Sequence, residues 1–210
     1  MYSLMLSEDV ISIIDRMAGE AGKTRSGFID NVLAEYVSYR TPEMRINEMM
    51  DMLNSMFSPH EALQVMLRPS ASTFSLRSAL AFKYNPTINY NIELYRTPGS
   101  VVGEVRAGLR TQNSSLKLYI MQFYKLWAKI EASYTGVGEC SIDGEKFVKQ
   151  IVVRDQNISE DDLSEAIVEY VCAFDNALKA FFYNIDDTQK AVGEVEKVFR
   201  DYYRGADILI

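Results

Sequence analysis

Residues 1–40 read MYSLMLSEDVISIIDRMAGEAGKTRSGFIDNVLAEYVSYR, and the reading of this stretch decides the fold. Over residues 2–6 the side chains alternate. Tyr2, Leu4 and Leu6 fall on one side, and Met1, Ser3 and Met5 on the other, the period of a strand with one buried face. Ser7 then offers a helix N-cap, and Glu8 and Asp9 place negative charge where the helix dipole favours it. Val10, Ile14, Met17 and Ala21 recur at helical spacing, with Ile11, Ile13 and Ala18 widening the stripe. Gly22 stands where a left-handed residue would close that helix. Thr24 caps a second helix whose stripe is Phe28, Ile29, Val32, Leu33, Tyr36 and Val37, and Thr41-Pro42 stops it or bends the chain.

A short strand, a helix, a glycine turn and a second helix do not make a finished unit. The strand's backbone N–H and C=O groups need a ladder partner. Two short helices cannot enclose Leu4, Leu6, Ile14 and Phe28 by themselves. The simplest solution is a two-fold dimer in which two copies of residues 2–6 pair antiparallel.

The pattern of a strand ending Leu6-Ser7-Glu8-Asp9, the turn Gly22-Lys23-Thr24-Arg25-Ser26 and the bulky pair Phe28-Ile29 followed by Val32-Leu33 resembles the ribbon-helix-helix repressors. The resemblance covers residues 1–40, about a fifth of the chain. It implies a homodimer, or a higher assembly of such dimers, with Tyr2, Leu4, Leu6, Ile14, Phe28 and Val32 in a shared core. It also implies that the paired strands enter the major groove of double-stranded DNA, where Met1, Ser3 and Met5 would face base edges. The start of the second helix would hold a phosphate through Thr24, Arg25 and Ser26, with Lys23 adding positive charge.

Beyond this module, residues 43–69 read as linker helices. EMRINEMMDMLNSMF (43–57) is amphipathic and rich in methionine, a residue that fills irregular gaps. Ser58-Pro59 restarts the chain, and Arg68-Pro69-Ser70 marks a break. Residues 70–210 then form an α+β domain. Phe74, Leu76, Leu80, Phe82 and Tyr84 alternate with Ser75, Arg77 and Lys83. Ile88, Tyr90, Ile92 and Leu94 alternate with Asn89, Asn91 and Glu93, and Val101, Val105, Ala107 and Leu109 with Glu104, Arg106 and Arg110. Turns at Asn85-Pro86 and Thr97-Pro98-Gly99 make this an antiparallel three-stranded meander with one polar face. Arg77, Lys83, Arg106 and Arg110 on that face are a solvated surface by default and an anion surface as the alternative. A helix is expected over 114–133 with Trp127 as a core anchor, and Gly136, Gly138 and Asp143-Gly144 break the pattern after it. Residues 145–153 fit a strand or a helix, with the Val/Ile content favouring strand. Ser159 and Asp187 cap two further helices, the last with Val192, Val195, Phe199 and Tyr202 inward.

With 210 residues, 48% of them hydrophobic and 24% charged, the chain has ordinary globular composition, which excludes a disordered or fibrous protein. No run reaches the roughly 20 apolar residues of a membrane span, and the N-terminus lacks a signal-peptide pattern. Two cysteines make no disulfide framework, so the cytoplasm is the expected compartment. The net charge of −7 is uneven: residues 68–134 carry +6 and residues 155–210 carry −8. The single histidine, His60, has no nucleophile elbow nearby, and no phosphate-binding glycine loop or clustered Cys/His metal set is present. The expectation is therefore no enzyme, no metal and no cofactor.

These readings converge on a homodimeric DNA-binding transcriptional regulator, most simply a repressor, whose second domain adds oligomer contacts or takes a ligand or protein partner. One alternative is a scaffold that uses the N-terminal module only for pairing, which the apolar Met1 and Met5 favour. Another is an antitoxin-like partner-binding protein.

Overall fold

The computed structural model describes residues 5–67, 70–96, 99–136, 139–154 and 158–210. The strand expected over 2–6 falls mostly outside them. So do Met1, Tyr2, Ser3 and Leu4, the Arg68-Pro69 break, the Thr97-Pro98 turn and Gly138. Met5 and Leu6 carry no regular structure.

The chain separates into two compact units, residues 1–45 and 46–210. In the first, α1 (Glu8–Glu20) and α2 (Arg25–Tyr36) begin and end where local chemistry requires. Ser7 flanks α1 in an extended conformation, without a side-chain capping bond. At the other end Gly22 has φ +63°, and the Lys23 N–H donates to Ala18 O at 2.8 Å and the Gly22 N–H to Gly19 O at 3.2 Å. This double closure satisfies carbonyls that a helix end otherwise leaves open, and it needs a residue at ease with positive φ. Thr24 Oγ1 caps α2 by accepting from the Gly27 N–H at 3.3 Å. Ser38, at φ 55°, lets the Tyr39 N–H return to Ala34 O at 2.7 Å and ends α2 in the same way.

Helix α3 (Pro42–Phe57) starts with proline in its first turn, where the missing N–H costs nothing, and Thr41 Oγ1 accepts from the Met44 N–H. Its Ile46, Met49, Met50, Leu53 and Phe57 lie in the core of the second unit. The stretch after Arg45 is thus part of that unit and not a free linker, because its apolar stripe has sheet and helix side chains to cover. Phe57, for instance, stacks on Phe74 at 5.8 Å.

The second unit holds a wholly antiparallel sheet of β1 (Gln64–Val65), β2 (Thr73–Ala79), β3 (Thr87–Leu94), β4 (Val101–Gly108), β5 (Cys140–Asp143) and β6 (Lys146–Val152). Among the described residues its order is β1-β2-β3-β4-β6-β5, so the expected three-stranded meander is the centre of a six-stranded sheet. Residues 146–152 are a strand, paired to β5 through a turn at Asp143-Gly144 in which Gly144 has φ +60°. The expected strand over 74–84 is shorter. β2 ends at Ala79, and the chain turns through Tyr84 and Asn85 at positive φ, leaving Tyr84 exposed and Phe82 half-buried.

Phe74, Leu76, Ile88, Tyr90, Ile92, Val105, Ala107, Phe147 and Ile151 point to one side of the sheet. There they meet α3, α4 (Ser114–Thr135), α5 (Glu160–Tyr183) and, behind these, α6 (Thr188–Gly205). Asn113, Ser159 and Asp187 cap the last three helices through the N–H groups of Leu116, Asp162 and Lys190. Trp127 is fully buried and packs edge-on against Phe174 and Phe199 at 5.2 and 5.1 Å. On α6 Ala191, Val195 and Phe199 face inward, while Val192 is exposed, because α6 is rotated relative to the stripe read from sequence. No helix of the described residues is long and apolar enough to cross a membrane.

Candidate functional site

Two surfaces carry the residues singled out in the sequence. The first belongs to the N-terminal unit. Among its described residues the buried hydrophobic side chains are Ala18 and Ala34. Ile14 and Phe28 are half-buried, and Val10, Ile13, Met17, Val32, Leu33, Tyr36 and Val37 stand in solvent. At the start of α2, Lys23, Thr24, Arg25 and Ser26 are exposed. Arg25, expected to meet a phosphate, instead makes a two-pronged ion pair with Asp15 of α1: Nε donates at 2.5 Å and Nη2 at 2.6 Å. Its hydrogen bond holds the Asp15 carboxyl below its ordinary value. The planar guanidinium matches a carboxylate as well as it would a phosphate, and here the carboxylate is ten residues away on the neighbouring helix.

The second surface is the helix-free face of the sheet. Alternation sends Ser75 and Arg77 of β2, Asn89 and Asn91 of β3, Glu104 and Arg106 of β4 and Lys146 of β6 to this side. Register aligns them into rows. Arg77, Asn89, Gly108, Lys146 and Asp143 lie across from one another on successive strands, and Ser75, Asn91 and Arg106 form the row beside them. Gly108 makes room in the first row for the Lys146 stem, since a Cβ there would sit 3.1 Å from Lys146 Cγ. The result is a hollow of about 820 Å³ lined by these residues together with Arg110 and Glu145. Of the four cations expected to form an anion surface, the fold brings Arg77, Arg106 and Arg110 into this hollow. Lys83 lies elsewhere, over the Tyr84 ring at 5.1 Å in the β2–β3 turn, because β2 ends before reaching it. Sequence reading missed Lys146, Asn89, Asn91 and Gly108. The alternation of β3 was the available signal for the asparagines, whereas the place of β6 next to β4 is a tertiary fact.

Two polar clusters lie on the buried side. Asp175 of α5 accepts from Ser78, Tyr90 and Lys179 at 3.1, 2.8 and 2.6 Å, and so ties α5 to the sheet. Lys149 of β6, almost fully buried, meets Glu131 of α4 at 2.6 Å and Glu139 at 3.0 Å. Glu131 also accepts from the Tyr170 hydroxyl at 2.9 Å and the Cys140 thiol at 3.1 Å, and Tyr170 accepts from the Trp127 indole at 3.0 Å. Burial works against charge on Lys149, but the two carboxylates outweigh it and raise its pKa. Burial also pushes Tyr170 and Cys140 up, with Glu131 reinforcing both. Every group here has a hydrogen-bond partner, Glu139 also accepting from Arg154 at 2.9 Å, the mark of a structural network.

His60 lies near the Cys172 sulfur at 3.9 Å. Burial pushes that thiol up to about 11, so the pair is no activated thiolate. Among the described residues no group of three or more His, Cys, Asp or Glu is placed to hold a metal ion. The chain matches no protein-family model, no curated protein and no solved structure.

Proposed function

We propose that the protein is a homodimeric DNA-binding regulator in which the N-terminal unit supplies both the pairing surface and the DNA contacts. The observation that carries this reading is the apolar surface of that unit. Val10, Ile13, Met17, Val32, Leu33, Tyr36 and Val37 are all more than 40% exposed. A unit of this size rarely holds a core alone, and oligomerisation is the usual remedy. A second copy is the fitting occupant, because two-fold pairing sets the same apolar stripe against itself and gives residues 2–6 a strand to pair with.

The DNA contact rests on the start of α2. Thr24 takes the N–H groups of Gly27 and Phe28, which leaves those of Arg25 and Ser26 open, and no acidic residue stands there, whereas α1 offers Glu8 and Asp9 at its own start. With Lys23 alongside, this terminus suits a phosphate. A second reading, a scaffold that only pairs, is favoured by the Arg25–Asp15 ion pair, which occupies the nearest guanidinium.

Fluorescence anisotropy of the full chain against genomic fragments separates the two. A regulator retains a fragment against excess competitor at about 10⁻⁸ M, with affinity falling steeply as salt rises. A dimer that retains no fragment at micromolar concentration is a scaffold, and the DNA reading falls.

A further inference from the structure

We infer that the hollow on the helix-free face of the sheet binds a small polyanion bearing phosphate or carboxylate groups. The inference rests on the second unit alone and does not depend on the DNA reading.

The charge distribution is the first support. In a chain of net charge −7, the hollow gathers Arg77, Arg106, Arg110 and Lys146. Among the described residues the carboxylates lining it are Asp143 and Glu145, and Glu145 is held by Lys117 at 2.7 Å. Among the described residues Arg77, Arg110 and Lys146 have no ion-pair partner, although the protein has acidic side chains to spare. Cations grouped without partners in a concave surface focus the field there and attract a counter-ion.

Arg106 is the second support. Its Nη2 pairs with Glu104, while its Nε is buried without a hydrogen-bond partner. An oxyanion on the exposed side of this guanidinium would meet a group already oriented by Glu104, and arginine suits planar or tetrahedral oxyanions.

The shape of the floor is the third. Gly108 is the one position of its row, from Arg77 to Lys146, that lacks a side chain. A glycine in a strand often marks a close approach, and here, at the end of β4, it lets the Lys146 stem lie across the row and hold its ammonium over the floor. Arg77 and Lys146 are separated by three strand spacings, about 14 Å between backbones, so their long side chains can close on one molecule. Between them Asn89 offers a donor and an acceptor, and in the next row Asn91, whose Oδ1 accepts from Ser75 Oγ at 2.8 Å, offers its amide N–H groups, which gives a small molecule orientation as well as charge. The volume falls in the usual range for small-ligand sites. Among the described residues no aromatic side chain lines the hollow, so they offer single-stranded nucleic acid no stacking platform there.

Isothermal titration of the full chain with citrate, metal-free ATP, inorganic phosphate and a short random DNA duplex tests the inference. Citrate reports a carboxylate ligand, and ATP or phosphate a phosphorylated one. Binding of citrate or ATP is expected, with the affinity falling at least about tenfold in Arg77→Gln and in Lys146→Gln. Gly108→Val should weaken it as much with every charge retained, because the new side chain displaces the Lys146 stem that lies over Gly108. Lys190→Gln, outside the hollow, should leave it unchanged, and thermal unfolding confirms that each variant is folded. The inference is overturned if neither citrate nor ATP binds, or if Arg77→Gln and Gly108→Val leave binding intact. It is also overturned if the duplex alone binds and loses affinity with Arg77→Gln, which would make this face a nucleic-acid surface. None of these outcomes bears on whether the N-terminal unit holds DNA.

Discussion

Val32→Asp should dissociate the proposed dimer. Val32 is 47% exposed, so about half of its side-chain area is left for a partner to cover. Full burial of a valine contributes about 1.5–3 kcal/mol, and the uncovered half about 1 kcal/mol. Two-fold symmetry places the substitution at the interface twice, so loss of the apolar contact alone costs about 2 kcal/mol per dimer. Two carboxylates facing an apolar surface add a desolvation penalty of several kcal/mol each. Together these exceed about 5 kcal/mol, which raises the dimer dissociation constant by more than about a thousandfold. Val32→Ala removes only the contact and should raise it roughly thirtyfold. Sedimentation velocity over a concentration series reads both shifts. Amide exchange should show α1 and α2 losing protection in the Val32→Asp monomer while the sheet stays protected, since Ala18 and Ala34 are too small a core to hold two helices. A wild-type chain that is monomeric at about 100 μM, or a Val32→Asp chain that dimerises as tightly as wild type, would refute the reasoning.

Two further outcomes follow from the buried network. Lys149→Met leaves the buried Glu131 without its cation and should cost about 3–5 kcal/mol in urea unfolding, whereas Lys149→Met with Glu131→Gln should recover much of that loss, since the uncompensated charge is gone. Glu139 is held below its ordinary value, with burial raising it but hydrogen bonds from Lys149 and Arg154 outweighing that. The stabilisation from Glu139 is therefore complete above the carboxylate's unfolded value, about 4.3, and fades as pH falls through its lower folded value. Raised Lys149 gives the opposite limit: its contribution is complete below about 10.4 and is lost as pH rises through the folded value. Urea midpoints across pH should thus be level in the neutral range, and Glu139→Gln should flatten the acid limb.

The features legible in the sequence are those decided within a few residues. Thr24, Ser159 and Asp187 cap their helices because each side chain reaches an N–H three residues on, and Gly22 closes α1 because it accepts positive φ. Alternation placed Asn89, Asn91 and Arg106 on the polar face for the same local reason. What the tertiary structure alone decided depends on partners far away in the chain. The apolar stripe of α3 reads equally as a linker or a core face until Phe74 is beside Phe57. Arg25 reads as a free cation until α1 brings Asp15 to it. Lys149 falls between Phe147 and Ile151 on the inward face, a place no alternation rule would give a lysine, and it is stable there because α4 presents Glu131. The hollow exists because β6 pairs with β4 and sets Lys146 across from Gly108, some forty residues away. Local geometry writes itself into neighbouring residues, whereas strand order and ion pairing are chosen by burial and charge compensation between segments that meet only once the chain has folded.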